Sequence, residues 1–84
     1  MKEKFEVRST PIFLKRIKVL DVEAQVRIIH EINILKRDPY AGKPLRGQWK
    51  GVYSLRIGDY RVLYQIRGEI ILLLALGHRK RVYK

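Results

Sequence analysis

Residues 70–76 (Ile-Ile-Leu-Leu-Leu-Ala-Leu) constrain the fold of this 84-residue chain more than any other segment. Seven apolar residues without a break cannot form an element that shows one face to water, because polar residues must then recur with its period. They also fall far short of the roughly 20 residues that a membrane-spanning helix needs. A strand buried on both faces is the remaining solution, and such strands lie inside a sheet. The preceding residues supply neighbours for it. Residues 52–57 and 60–66 read as strands, and Gly58-Asp59 between them suits a two-residue hairpin loop. Arg67-Gly68-Glu69 makes a second tight turn into Ile70. Three consecutive antiparallel strands result.

The first half supplies the covering layer. Residues 5–8 alternate apolar and polar and read as a short strand. Thr10-Pro11 is an N-cap followed by proline at the first helical position. Phe13, Ile17 and Leu20 form one apolar stripe on this first helix. Asp21 caps a second helix, on which Val22, Val26, Ile29 and Ile32 continue the helical period and Ile28 and Leu35 widen it. Pro39 ends this helix, since the residue before a proline is driven out of the α region. Residues 39–51, with two prolines and three glycines, read as a loop. The expected fold is α+β, a helical hairpin on a mostly antiparallel sheet in the order β-α-α-β-β-β, within one domain spanning residues 1–84.

Charge narrows the function. Nineteen Lys and Arg against eight Asp and Glu give 19 − 8 = +11. Residues 1–42 carry nine basic and six acidic groups, whereas residues 43–84 carry ten and two. So strong a basic excess repels itself and points to a polyanionic partner, with nucleic acid foremost. The absence of cysteine excludes disulfides, thiolate metal sites and a thiol nucleophile. Two histidines and scattered carboxylates give no metal-ligand spacing, and no Gly-rich nucleotide loop is present, so neither a metal nor a cofactor is expected. No apolar segment follows Met1-Lys2-Glu3-Lys4 as a secretion signal would, so a cytoplasmic protein is expected.

The chemistry gathers on the hairpin. With a two-residue loop, Arg56 lies directly opposite Arg61 on one face, while Tyr53, Leu55, Ile57, Val62 and Tyr64 take the other, under the helices. Two like charges side by side destabilise a sheet, and an anion between them would remove that cost. If alternation persists along the last strand, Leu74, Leu76 and His78 share a face and His78 emerges at the Arg56/Arg61 edge. Cleavage of RNA by its own 2′-hydroxyl requires neutralisation of the phosphorane and two proton transfers. Arginines serve the first need, and an imidazole or a phenol such as Tyr83 serves the second. Trp49 reads as a packing anchor and His30 as an exposed helical residue. Leu63, Leu72, Leu74 and Leu76 share the arginine face with no element left to cover them, so an acidic, amphipathic protein partner is expected there.

Three segments resemble one family. They are Lys43-Pro44-Leu45-Arg46-Gly47, the block from Val52 to Tyr64 containing Arg56-Ile57-Gly58-Asp59-Tyr60-Arg61-Val62, and Gly77-His78-Arg79-Lys80-Arg81-Val82-Tyr83. Together they are similar to the RelE/ParE toxin superfamily. The resemblance implies a toxin of a type II toxin–antitoxin system, neutralised by an acidic RelB-like antitoxin that wraps it. On the RelE side it implies a metal-independent mRNA interferase that cuts codons in the ribosomal A site. On the ParE side it implies a non-catalytic inhibitor of DNA gyrase. A basic RNA-binding domain without chemistry is a further alternative. Arg61, Arg79 and Tyr83 match catalytic positions of the RelE side, and His78 occurs in relatives with a Gly-His-Arg tail. Arg56 and Ser54 stand where that side carries strand lysines. Lys43, Arg46, Lys50, Lys80 and Arg81 are expected to contact RNA or ribosomal phosphates.

Overall fold

Two side chains decide where the helical layer starts. Thr10 Oγ1 accepts the Phe13 N–H at 3.3 Å and donates to the Leu73 carbonyl at 2.8 Å. The same hydroxyl thus caps a helix and fastens it to a strand 63 residues away. Asp21 Oδ1 accepts the Ala24 N–H at 2.8 Å and opens the second helix. The computed structural model describes residues 4–78. Its elements are β1 (Glu6–Ser9), α1 (Pro11–Lys18), α2 (Val22–Leu35), β2 (Lys43–Pro44), a 3₁₀ turn (Gly47–Trp49), β3 (Tyr53–Ile57), β4 (Tyr60–Arg67) and β5 (Ile70–His78). The sheet order is β1-β5-β4-β3-β2, with β1 parallel to β5 and the other pairs antiparallel. The α+β arrangement expected from the sequence is observed.

Both hairpins turn on glycine. Gly58 and Gly68 each have φ of 60° in the first loop position, and among the described residues only glycines have positive φ. That is the Gly-first pattern of a type II′ turn, whose twist matches the strands it joins. The second loop is shorter than the sequence suggests. Arg67 pairs with Ile70, so only Gly68 and Glu69 lie in the turn.

The apolar run sits inside the sheet as β5, between β1 and β4. Its alternation is interrupted. Leu63 pairs with Ala75 and Tyr64 with Leu73, leaving Leu74 as the extra residue of a β-bulge. The bulge moves every residue after Leu74 to the opposite face. Leu76 therefore joins Phe13, Ile28, Leu35, Val62, Tyr64 and Leu73 in the core beneath the helices, rather than the arginine face.

Two further expectations are corrected. The segment 39–51 contains β2 and the 3₁₀ turn and is not a bare loop; Leu45 and Trp49 fold over the face opposite the helices and pack with Val52, Leu63, Leu74 and Ala75. Leu63 is only 2% exposed as a result, while Leu72 and Leu74 on that face are half-buried. On α2 the buried stripe is Ile28, Ile32 and Leu35, while Val22, Val26 and Ile29 are exposed by 72, 62 and 50%. The two stripes lie roughly 120° apart around the helix, and a helix on one sheet face can bury only one of them.

Candidate nucleic-acid interface

The β3–β4 register places the cations. Arg56 pairs with Arg61 and Ile57 with Tyr60, as the two-residue loop requires. Paired residues share a face, with Cβ atoms about 4.5–5.5 Å apart. Ser54 and Arg56 thus stand on the face away from the helices, together with Arg61. Lys43 joins them, because β2 pairs Lys43 with Ser54. Three cations from three adjacent strands share the face of one serine.

That serine orients Arg61. Ser54 is 3% exposed, the one buried polar residue among those described, and its Oγ accepts a hydrogen bond from Arg61 Nη1 at 3.2 Å. Arg61 itself is half-buried, which fixes its guanidinium more firmly than a fully solvated side chain would be. Arg56 is exposed and donates from Nε to the Gly58 carbonyl at 3.4 Å, so it bends back over its own turn. The ladder sets an exposed and a half-buried guanidinium side by side, with no carboxylate among the described residues paired to either. The ion pair observed among the described residues, Arg8 with Glu6 at 3.2 Å, lies elsewhere on β1.

Lys43 is held from behind. Tyr64 Oη donates to the Pro39 carbonyl at 2.7 Å and accepts the Gly42 N–H at 2.9 Å, both buried. A Cβ on Gly42 would stand 2.6 Å from that oxygen, so only glycine fits next to the lysine. Arg46 and Lys50 flank the 3₁₀ turn, and both are exposed. Trp49 packs into the second apolar cluster, as expected of an anchor.

His78 does not stand where alternation through Leu74 would place it. It pairs with Tyr60, whose ring lies edge-on at 6.5 Å, while Gly77 stands opposite Arg61. The bulge at Leu74 carries the imidazole to the helix side of the sheet. Arg79, Lys80, Arg81 and Tyr83 lie outside the described residues.

A hollow beside the β3–β4 turn has the wrong sign for phosphate. A cavity of about 480 Å³ between α2 and the β3–β4 turn is lined by Asp21, Glu23 and Asp59, with Arg27. Three of the chain's eight carboxylates therefore gather away from the arginine face. Sequence reading missed the orienting role of Ser54 and the placement of Lys43. The first was available from hairpin register; the second needed β2, which two residues do not announce.

Comparison with known proteins bears on this geometry. The family model described as ParE toxin of type II toxin-antitoxin system, parDE, matches residues 7–83. The chain belongs to that family. Toxin RelE3 of Methanocaldococcus jannaschii is 33% identical over 69 residues, covering 82% of this chain and 72% of that protein. Toxin RelG of Mycobacterium tuberculosis is 42% identical over 53 residues; the match spans 60% of this chain and only 61% of RelG. Among solved structures, the toxin–antitoxin complex RelBE2 from M. tuberculosis aligns with a TM-score of 0.84 at 30% identity, covering 90% of this chain and 99% of that one. The intact E. coli RelBE toxin–antitoxin complex aligns at 0.78 over 92% of this chain and 99% of that one, and at 19% identity it shows the shared fold. This is a type II toxin of the RelE/ParE superfamily.

Proposed function

We propose that this toxin is a ribosome-dependent mRNA interferase that cuts mRNA in the A site and so arrests translation. The observation that carries the reading is the Arg56–Arg61 cross-strand pair, with Arg61 tied to Ser54 and Lys43 one strand away. A trigonal-bipyramidal phosphorane gains negative charge as it forms. Donors already aimed at it stabilise that charge without reorganising. Arg61 neutralises the phosphorane, and Arg56 binds the flanking phosphate. Arg46 and Lys50 bind backbone phosphates further along the RNA. Arg79 and Tyr83 belong to the same proposal through the family resemblance.

The partner is an acidic, RelB-like antitoxin. The surface that suits it lies on the helical side. An apolar groove of about 330 Å³ between β1, α1 and α2 is lined by Val7, Leu14, Ile17 and Ile29 and bordered by Lys36. A helix α1 carrying Lys15, Arg16 and Lys18 with no carboxylate adds cationic character beside it. Ile29→Glu should weaken capture of the co-expressed antitoxin by at least about tenfold, as loss of a buried interface anchor does. Unchanged affinity would place the antitoxin elsewhere.

One observation favours a second reading: the matching family model is that of ParE, whose members the resemblance describes as gyrase inhibitors. A translation extract with defined mRNA, run with and without ribosomes, separates the two. Cuts at A-site codons that need ribosomes support the interferase. An intact message beside arrested supercoiling by gyrase supports the rival. In the same extract Lys50→Ala should lower RNA affinity in a salt-dependent way, because each lost phosphate contact reduces counterion release by about one ion. A salt slope equal to the parent's would remove Lys50 from the interface.

A further inference from the structure

Four of the cationic side chains on or beside the arginine face are unequal in what they can do with a proton. Arg56, Arg61 and Arg46 are guanidinium groups, which stay protonated through any turnover at neutral pH. Lys43 is a primary amine, which can release a proton and take it back. Its place in the sheet is defined by three constraints. Lys43 pairs with Ser54, the serine that holds Arg61. Its predecessor Gly42 donates its N–H to the buried Tyr64 hydroxyl at 2.9 Å. Two residues on, the Leu45 N–H donates to the Val52 carbonyl at 2.9 Å. The backbone that carries the amine is therefore clamped on the strand next to Ser54, whose hydroxyl holds the Arg61 guanidinium, and His78 is turned to the other side of the sheet.

We infer that Lys43 is the general acid of the cleavage step, a catalytic role beyond phosphate binding; the inference rests on the interferase reading above. As the ribose 2′-oxygen forms its bond to phosphorus, its proton passes to water. The phosphorus–5′-oxygen bond breaks, and the Lys43 ammonium gives a proton to the departing 5′-oxygen. The products are a 2′,3′-cyclic phosphate and a 5′-hydroxyl. The neutral amine regains its proton from solvent. Arg61 holds the non-bridging oxygens throughout. The division of labour follows from side-chain type and position: the fixed charge sits at the serine, and the exchangeable proton sits one strand away.

The test compares the full toxin with Lys43→Ala and Lys43→Arg on programmed ribosomes under single-turnover conditions. Each is given ordinary mRNA and mRNA with one 5′-bridging sulfur at the scissile position. A sulfur leaving group departs without needing a proton, because thiols are much stronger acids than alcohols. On ordinary mRNA both variants should lose about 10²–10⁴-fold, the usual effect of removing a positioned general acid. On the sulfur substrate both should cut within about tenfold of the parent, as the group they lack is no longer used. Equal losses on both substrates would make Lys43 a binding residue and overturn the inference. So would a Lys43→Arg variant that cuts ordinary mRNA at the parent's rate. If the parent cuts neither substrate, the interferase reading falls and this inference falls with it; if the parent cuts and Lys43 proves dispensable, only this inference falls.

Discussion

Arg61→Ala is expected to slow A-site cleavage by about 10²–10³-fold, equivalent to about 2.7–4 kcal/mol of lost transition-state stabilisation. Folding stability should move the other way. The sheet holds Arg61 directly across from Arg56, neither of them ion-paired to a carboxylate among the described residues, and like charges so placed oppose pairing. Removing one relieves that repulsion by a few tenths of a kcal/mol up to about 1 kcal/mol. The Ser54 hydroxyl loses the Arg61 donor, a bond of ordinary length at 3.2 Å. A thermal melt and a single-turnover cleavage assay on the same preparation therefore give opposite signs, lower activity with an equal or higher Tm. Arg56→Ala should show the same relief of repulsion with a smaller loss of rate, since Arg56 is exposed and leans on its own turn. Arg61→Ala cutting at the parent's rate would remove the guanidinium from the mechanism. Arg61→Ala melting several degrees lower would mean that the arginine is retained for stability. The opposed signs are what distinguish a site from a scaffold here.

Local chemistry made the fold legible. The run at 70–76 required an internal strand, and β5 is one. Gly58-Asp59 fixed the register that sets Arg56 against Arg61, because a two-residue loop leaves no freedom in pairing. Thr10 and Asp21 opened the two helices where their side chains can accept backbone N–H groups. The misplacements share a different cause. Alternation carries side-chain direction along a strand only while the ladder is regular, and in an all-apolar strand nothing marks where it is broken. The bulge at Leu74 thus moved Leu76 and His78 to the helix side without a sequence signal. In α2, Val22, Val26 and Ile29 make one apolar stripe and Ile28, Ile32 and Leu35 another, and composition cannot say which of them meets the sheet. Val22, Val26 and Ile29 stay outside because the sheet takes Ile28, Ile32 and Leu35. Lys43 entered the site through β2, a strand of two residues paired to β3. So short a pairing is selected by tertiary contacts, above all the Tyr64 hydroxyl beneath Gly42, and those lie 22 residues away in the chain.

Tyr64→Phe isolates that hydroxyl and should cost about 2–4 kcal/mol, since it leaves a buried carbonyl at Pro39 and a buried N–H at Gly42 both unpaired. Against a total of about 4–13 kcal/mol for a chain of this length, one oxygen atom then carries a large share of stability. The ring is retained, and with it the stacking on Tyr53 at 5.4 Å, so the loss is not one of burial. Alkaline pH gives an independent measure. Burial pushes the Tyr64 phenol above its ordinary value of 10.0; the Gly42 N–H opposes this, while Tyr53 and Asp38 reinforce it. The folded state therefore keeps the proton at a pH where the unfolded chain gives it up. With more protons bound in the native state, stability falls as pH rises. The contribution is complete below about pH 10, the ordinary tyrosine value, and is lost as pH climbs from there through the raised folded value. Urea titrations of the parent and Tyr64→Phe at pH 8 and above 10 should differ by 2–4 kcal/mol at the lower pH, on the same basis as above, and by less at the higher one. The variant should also lose cleavage activity while still folded at pH 8, because the segment 39–42 that clamps Lys43 is no longer tied to β4. Parallel alkaline slopes in the two proteins, or a loss below about 0.5 kcal/mol at pH 8, would mean that water replaces the hydroxyl and that the tether is not what positions the lysine.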